Sequence, residues 1–477
     1  MLLFSKIFNL GCLVLLGLLF ISTQSVEAGT SKTCPYGQVH NEKGECIQAL
    51  KNCPLIDESR FHSVENCIIV LLKLNPAKML SALKSSPIGR CIAFLMAMNF
   101  FLSGLVINLA QCLLYYGLRP FSKYAYRKIN YYLAYSLYSQ LVFMAEWWSG
   151  TDVHVYIDKD DFKKYYGKEH GYLVMNHRYD VDWLVGWIFC DRIKVLGNCK
   201  AYAKKSIQYL PTMGYAWKFA ESVFLERNWD KDREAIGTQV RELAQYPDPI
   251  WLLLFAEGTR FTEEKHAASL EFSRKKGLPE LRQHLTPRTK GFTCSVPHLR
   301  DKVPSIYDVQ LAFKQNSELK PTISSMLRGK PLEAHMYIER IPISEVPEDE
   351  EEAANWLRDL YLKKDKMMES FLKHGDWFVD SGVRRVVPFK LPRRFYSLLN
   401  VVGWAIVLMR PLLYQVVDLL LSGSTLSIAI GLVVFLVLYL LLKNLIEQTK
   451  ISKGSSYGKT TPTTPSESKS FSNAKQD

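Results

Sequence analysis

Long apolar runs at both ends of the chain constrain its fold more than any other feature. Cys91 to Leu114 carries no charged side chain. As a helix rising about 1.5 Å per residue it reaches about 36 Å, enough to cross the hydrocarbon of a bilayer. Its strongest polar residues are Asn99, Asn108 and Gln111. Two further runs, Phe395 to Leu421 and Leu426 to Leu442, are separated by Ser422, Gly423, Ser424 and Thr425 and read as a helical hairpin. Arg410 and Asp418 inside the first of these are expensive in lipid, and their spacing lets them share one face.

Charge orients these segments. Arg119, Lys123, Arg127 and Lys128 follow the first span, Arg384, Arg385, Arg393 and Arg394 precede the hairpin, and Lys443 ends it. Positive-inside bias puts all of them in the cytoplasm. The start of the chain has Lys6, an apolar stretch from Ile7 to Ile21, and Val26-Glu27-Ala28, the layout of a secretory signal peptide or an N-terminal anchor. Residues 29–90 are polar and hold Cys34, Cys46, Cys53 and Cys67, which suit an oxidising lumen and two disulfides with three possible pairings. Cys190, Cys199 and Cys294 lie singly in the body and read as reduced thiols. The Ser/Thr/Lys-rich end from Lys450 reads as disordered. A net charge of +13 suits nucleic acid, an anionic bilayer or a phosphorylated substrate. No zinc-finger or RNA-recognition spacing is present, which leaves membrane and phosphate.

Between the spans the pattern alternates, as in an α/β domain. Tyr172–Met175, Val223–Leu225, Trp251–Phe255, Val309–Phe313 and His335–Ile341 read as strands. Asp230 to Tyr246 reads as a helix with Ile236, Val240, Leu243 and Ala244 on one face, and the acidic run Glu348 to Glu352 as the first turn of a helix continuing to Leu372. Tyr131 to Trp148, aromatic but interrupted by polar residues, reads as a helix in the membrane interface packed on the body.

Three strands end in residues that can do chemistry. Tyr172–Met175 runs into Asn176, His177, Arg178, Tyr179, Asp180, Val181 and Asp182; Val223–Leu225 into Glu226 and Arg227; Trp251–Phe255 into Glu257, Gly258, Thr259 and Arg260. A histidine five positions before an aspartate is a weak signal alone, and a surface arginine is more often an ion pair. Together, beyond the carboxyl ends of α/β strands where ligands bind, they point to one site. A carboxylate-held histidine can take a proton from an alcohol. Arginine suits phosphate because its fork donates two hydrogen bonds, and Gly258 lets backbone approach a ligand. No Gly-x-Ser-x-Gly elbow or recognisable Cys–His pairing offers a nucleophile, which favours direct transfer between two substrates.

These motifs resemble those of the 1-acyl-sn-glycerol-3-phosphate acyltransferases, in particular the animal gamma and delta branch. The resemblance runs from about Phe101 to Gly458 and includes Glu146-Trp147-Trp148, Ala203-Lys204-Lys205, Pro287-Arg288-Thr289-Lys290-Gly291-Phe292 and Tyr307-Asp308-Val309. It implies that His177 is the catalytic base and Asp182 its orienting acid, with Asp180 competing for the second role. It implies an acceptor-phosphate site at Glu257, Gly258, Thr259, Arg260 and Arg227, with Asn176 and Lys290 as accessory residues. Val303-Pro304-Ser305-Ile306 is the nearest stretch to the family's fourth block. The segment before about Cys91 has no counterpart in the family.

The resemblance implies transfer from acyl-CoA to the sn-2 hydroxyl of 1-acyl-sn-glycerol-3-phosphate, giving phosphatidic acid, with no metal, prosthetic group or covalent intermediate. Alternatives are another acceptor (lysophosphatidylinositol, lysophosphatidylcholine or lysocardiolipin) or a silent lipid-binding scaffold. The expected organisation is a signal peptide or anchor (1–28), a lumenal cysteine-bearing extension (29–90), a transmembrane helix (91–118), a cytosol-facing acyltransferase domain of α/β class (119–394), a transmembrane hairpin (395–443) and a polar tail (444–477). The expected location is the endoplasmic reticulum membrane.

Overall fold

The computed structural model describes residues 38–40, 46–48, 83–226, 228–314, 319–422 and 424–448. The signal-like segment, most of the cysteine-bearing extension, Arg227 and the polar tail from residue 449 on lie outside these residues, while residues 444–448 of the expected tail belong to the helix Thr425–Gln448. In the extension, β1 (Gln38–His40) and β2 (Cys46–Gln48) pair antiparallel.

The body is built on one eight-stranded sheet. Its strands in chain order are β3 (Asp152–Tyr156), β4 (Gly171–Met175), β5 (Cys199–Lys204), β6 (Val223–Leu225), β7 (Trp251–Leu254), β8 (Ser305–Phe313), β9 (Glu333–Pro342) and β10 (Phe389–Lys390). Across the sheet the order is β10-β3-β9-β8-β4-β7-β5-β6. The five strands from β8 to β6 run parallel, β9 runs antiparallel to β8, and β10 antiparallel to β3. The five strand segments expected from the sequence are all present, while β3, β5 and β10 are additions.

Side-chain alternation along β4 makes two cores. Leu173 and Met175 face one layer, with α1 (Pro87–Gly117), α2 (Lys123–Phe143) and α3 (Asp182–Arg192). Tyr172 and Val174 face the other, against Ile236, Val240 and Leu243 of a helix over Trp229–Leu243. That helix starts where expected, because Asn228 accepts hydrogen bonds from the Asp230 and Lys231 amides. The long helix Glu350–His374 adds Leu357, Leu360 and Tyr361 to the same layer. Asp349 caps it, and Gly375 ends it in the left-handed region at φ 69°.

α1 and α2 correct the sequence reading. α2 begins at Lys123 rather than Tyr131, and its last turn widens into a π-helix at Met144–Trp148. Its body-facing side is buried while Tyr124 and Tyr132 stay exposed. α1 buries its polar residues while much of its apolar surface faces outward: Asn99 donates to Gln140 at 3.3 Å and Gln111 to Asn130 at 2.8 Å, whereas Leu105, Leu109 and Leu113 are exposed. That reversed pattern suits a helix in an apolar solvent. By length and composition, Pro87–Gly117 and Tyr396–Leu419 can each cross a membrane. The second of these is made of Tyr396–Trp404, a π-helical turn at Ala405–Met409 and most of the helix Arg410–Leu421; Thr425–Gln448 follows it as the hairpin's second arm. Arg410 and Asp418 are both exposed on this hairpin.

Candidate active site

The chain leaves the sheet after Met175, and the next residue manages that exit. Asn176 is buried, and its side chain accepts from the Leu311 amide at 2.8 Å and donates to the Leu311 carbonyl at 2.9 Å. It replaces the strand pairing that β4 gives up beside β8, which makes it a structural residue here. His177 is then held by both backbone groups. Its amide donates to Glu257 Oε1 at 2.8 Å, and its carbonyl accepts from the Phe261 amide at 2.7 Å. Its ring stacks on Phe255 at 4.1 Å.

Asp182 opens α3 and is fully buried. Its Oδ2 accepts from the Arg178 and Tyr179 amides, each at 2.8 Å, and faces His177 Nδ1 at 3.2 Å. Burial raises the pKa of this carboxyl, against the opposing pull of His177 and the two amides. With Nδ1–H donating to Asp182, the lone pair sits on Nε2, the nitrogen free to act as a base toward the cavity that His177 lines. Asp180 is placed differently. It is 42% exposed and forms an ion pair with Arg260, so it meets the phosphate-type residue rather than the histidine.

The turn after β7 divides its residues between two jobs. Gly258 has φ +70°, a conformation that favours glycine, and the Arg288 side chain packs against it, with Cδ 2.8 Å from where a Cβ would stand. Lys265 Nζ donates to Thr259 Oγ1 at 2.9 Å and to the Arg260 carbonyl at 3.1 Å, fixing the loop that presents Arg260. Gly258, Thr259 and Arg260 line the cavity. Glu257 points the other way. Its buried carboxylate accepts from the His177 amide and, at 3.1 Å, from the Leu285 amide. A buried carboxyl group already accepting from two amides is a brace and faces away from the cavity, which departs from the assignment read in the sequence. Burial pushes its pKa up to about 8.

These residues share one cavity of about 830 Å³. His177, Asp180, Arg260, Arg288 and Lys290 are among its polar lining residues, and most of the lining is apolar, as with Trp187, Leu253 and Met336. Lys290 lies over the Trp229 ring at 5.0 Å. The Val303–Ile306 stretch does not join this site. Ser305 is level with Gly171 at the start of β4, so this stretch sits at the opposite end of the sheet.

A family model described as Acyltransferase matches residues 155–297, and one described as Acyltransferase C-terminus matches residues 325–404. The chain is 44% identical over 360 residues to the 1-acyl-sn-glycerol-3-phosphate acyltransferase gamma of Homo sapiens, covering 75% of this chain and 93% of that protein. It belongs to the 1-acyl-sn-glycerol-3-phosphate acyltransferase family. The gamma enzyme of Mus musculus is 43% identical over 368 residues, covering 77% of this chain and 95% of its own length. The delta enzyme of Bos taurus is 42% identical over 360 residues, covering 75% and 92%.

As a member of this family the chain shows several site residues that sequence reading missed. Phe255 was read as the end of a strand, and nothing in its neighbours signals the stack on His177. Lys265 lies on a charged, exposed helix over Glu263–Lys276, where one more lysine carries no signal. Lys200 lines the cavity although it is buried, 4.6 Å from the Tyr246 ring, and burial lowers its pKa to about 8.

Proposed function

We propose that this acyltransferase moves an acyl group from acyl-CoA to the sn-2 hydroxyl of 1-acyl-sn-glycerol-3-phosphate and releases phosphatidic acid and CoA. The observation that carries this reading is that His177, backed by Asp182, and Arg260 line one largely apolar cavity, with their loops joined by the Phe261 amide on the His177 carbonyl at 2.7 Å. Arg260 receives the acceptor phosphate and places the neighbouring hydroxyl at His177 Nε2. As that oxygen attacks the thioester carbonyl, its proton passes to Nε2, and buried Asp182 stabilises the imidazolium. The tetrahedral intermediate collapses with cleavage of the C–S bond, and the leaving thiolate takes the proton back from His177. On this reading the reaction uses no metal and no prosthetic group, acyl-CoA being a co-substrate. Named relatives of the gamma and delta types at 42–44% identity support the choice of lysophosphatidic acid.

The enzyme on this reading sits in the endoplasmic reticulum membrane, held by α1 and the C-terminal hairpin, with its catalytic domain toward cytosolic acyl-CoA. The outward apolar faces of those helices support it. The deciding experiment supplies microsomes carrying the full chain with labelled acyl-CoA and a panel of lysophospholipids. Lysophosphatidic acid should be the preferred acceptor, and His177→Ala should remove nearly all transfer while leaving the protein in the membrane. Preference for another headgroup would replace the acceptor, and full activity of His177→Ala would end the mechanism.

A further inference from the structure

The C-terminal helix Tyr396–Trp404 reaches the substrate cavity, where Val401 stands in the wall beside Met96 and Phe100 of α1. A helix that serves only as a lipid anchor has no need of a fixed rotation. This one is fixed by polar contacts onto α2. Asn400 Nδ2 donates to the Ser136 carbonyl at 2.7 Å and to Ser139 Oγ at 3.0 Å. Ser136 Oγ donates to Asn400 Oδ1 at 2.8 Å and accepts from Trp404 Nε1 at 2.9 Å. The entry to the helix is held as well. The Phe395 ring lies 5.3 Å from Trp147, and Arg394 meets Asp191 at 3.1 Å at the far end of α3, the helix that begins with Asp182. In an apolar setting such hydrogen bonds have few competing partners, so they set which side of the helix faces the cavity.

We propose that Met96, Phe100 and Val401 form the stop against which a fatty acyl chain ends, so that the C-terminal helix helps set the chain length this enzyme accepts. The ligand follows from the wall: these three side chains offer no hydrogen-bond donor or charge, and an elongated hydrocarbon gains by burial there. The proposal rests on the acyl-transfer reading above. Its ligand chemistry, a fatty acyl chain, has two sources in that reaction, the donor thioester and the lysophospholipid acceptor.

Full-length wild type, Val401→Trp, Val401→Ala and Phe100→Ala, reconstituted in phosphatidylcholine vesicles, separate these sources. One arm varies acyl-CoA chain length against a single lysophosphatidic acid; the other varies the acceptor chain against a single acyl-CoA. Val401→Trp should shift preference to shorter chains, by about four-fold in kcat/KM for each methylene denied burial. Val401→Ala and Phe100→Ala should shift it to longer ones. The arm that moves identifies the chain seated at this wall. Unchanged length profiles in both arms, with or without lower total activity, would overturn the proposal. If Val401→Trp does not accumulate in membranes, the two alanine variants decide by the same criterion. A wild type inactive on every lysophosphatidic acid would instead remove the functional reading beneath it.

Discussion

Replacing Asp182 with asparagine separates the shape of the His177–Asp182 loop from its charge. In the native protein Oδ2 makes all three contacts, with the Arg178 and Tyr179 amides at 2.8 Å each and His177 Nδ1 at 3.2 Å, while Oδ1 is buried without a hydrogen-bond partner. An asparagine oxygen in the Oδ2 position keeps the three contacts, and its amino group takes the place of Oδ1. The fold then loses about 1–3 kcal/mol for the unpartnered donors, which leaves it intact. The chemistry loses the charge beside the imidazolium. A unit pair about 4 Å apart at an effective dielectric near 20 is worth about 4 kcal/mol, or about a thousand-fold in rate. The expected result for Asp182→Asn is therefore a kcat lower by about 10³ with both KM values nearly unchanged, read by initial rates with labelled acyl-CoA alongside a thermal melt in detergent. Asp180→Asn should keep kcat within about ten-fold, because Asp180 is partly exposed and pairs with Arg260. Asp182→Asn retaining a tenth of wild-type kcat, or Asp180→Asn proving equally severe, would refute the assignment.

Three further outcomes are expected. Arg260→Ala should raise KM for lysophosphatidic acid far more than for acyl-CoA, and Arg260→Lys should rescue only part of the loss; a raised acyl-CoA KM alone would move this arginine to the donor. Glu257 holds its proton up to about pH 8 in the folded protein against 4.5 as its ordinary value, so its contribution to stability is full below about 4.5 and is lost as pH rises through about 8. Glu257→Gln should flatten that fall in melting temperature across about pH 5 to 8, and an unchanged slope would mean that another group titrates there. A glycosylation acceptor engineered near Asn41 should be modified in microsomes while the C-terminal tail stays open to added protease; an unmodified site would place residues 29–90 in the cytosol.

How much of this was legible in sequence depended on where each residue's partners lie. Tyr172–Met175, Trp251–Phe255 and, apart from Gln310, Val309–Phe313 declare themselves because strands buried on both faces are nearly continuous apolar runs. β3 (Asp152–Tyr156) and β5 (Cys199–Lys204) hide, since one alternates histidine and aspartate with valine and the other contains two lysines. Lys200 is tolerated inside only because Tyr246 and Glu221 surround it, and neither is near it in sequence. His177 and Asp182 were readable because only four residues join them and the loop closes on itself through the Arg178 and Tyr179 amides. Glu257 was misread for the opposite reason: its direction is set by Leu285, which local sequence cannot supply.

That brace extends into the second family-matched stretch. Leu285 follows a loop whose Arg282 and Gln283 amides, each at 2.7 Å, donate to Asp365 of the helix Glu350–His374. His284 in the same loop meets Asp365 through Nδ1 at 3.0 Å, and its Nε2 accepts from Gln310 of β8 at 3.2 Å. Asp365 keeps a lowered pKa although burial opposes it, because His284 and the two amides favour its charge. Buried Lys364, the neighbouring residue on that helix, donates to the Val309 carbonyl at 2.7 Å and pairs with Asp308. The amide of His177 is thus held by Glu257, Glu257 by the 282–285 loop, and that loop by Asp365. The Glu257–Leu285 and His284–Asp365 links are buried, where a missing partner costs more than an exposed one. The two matched stretches therefore work as one body, because the first, which carries His177, takes its geometry partly from the second.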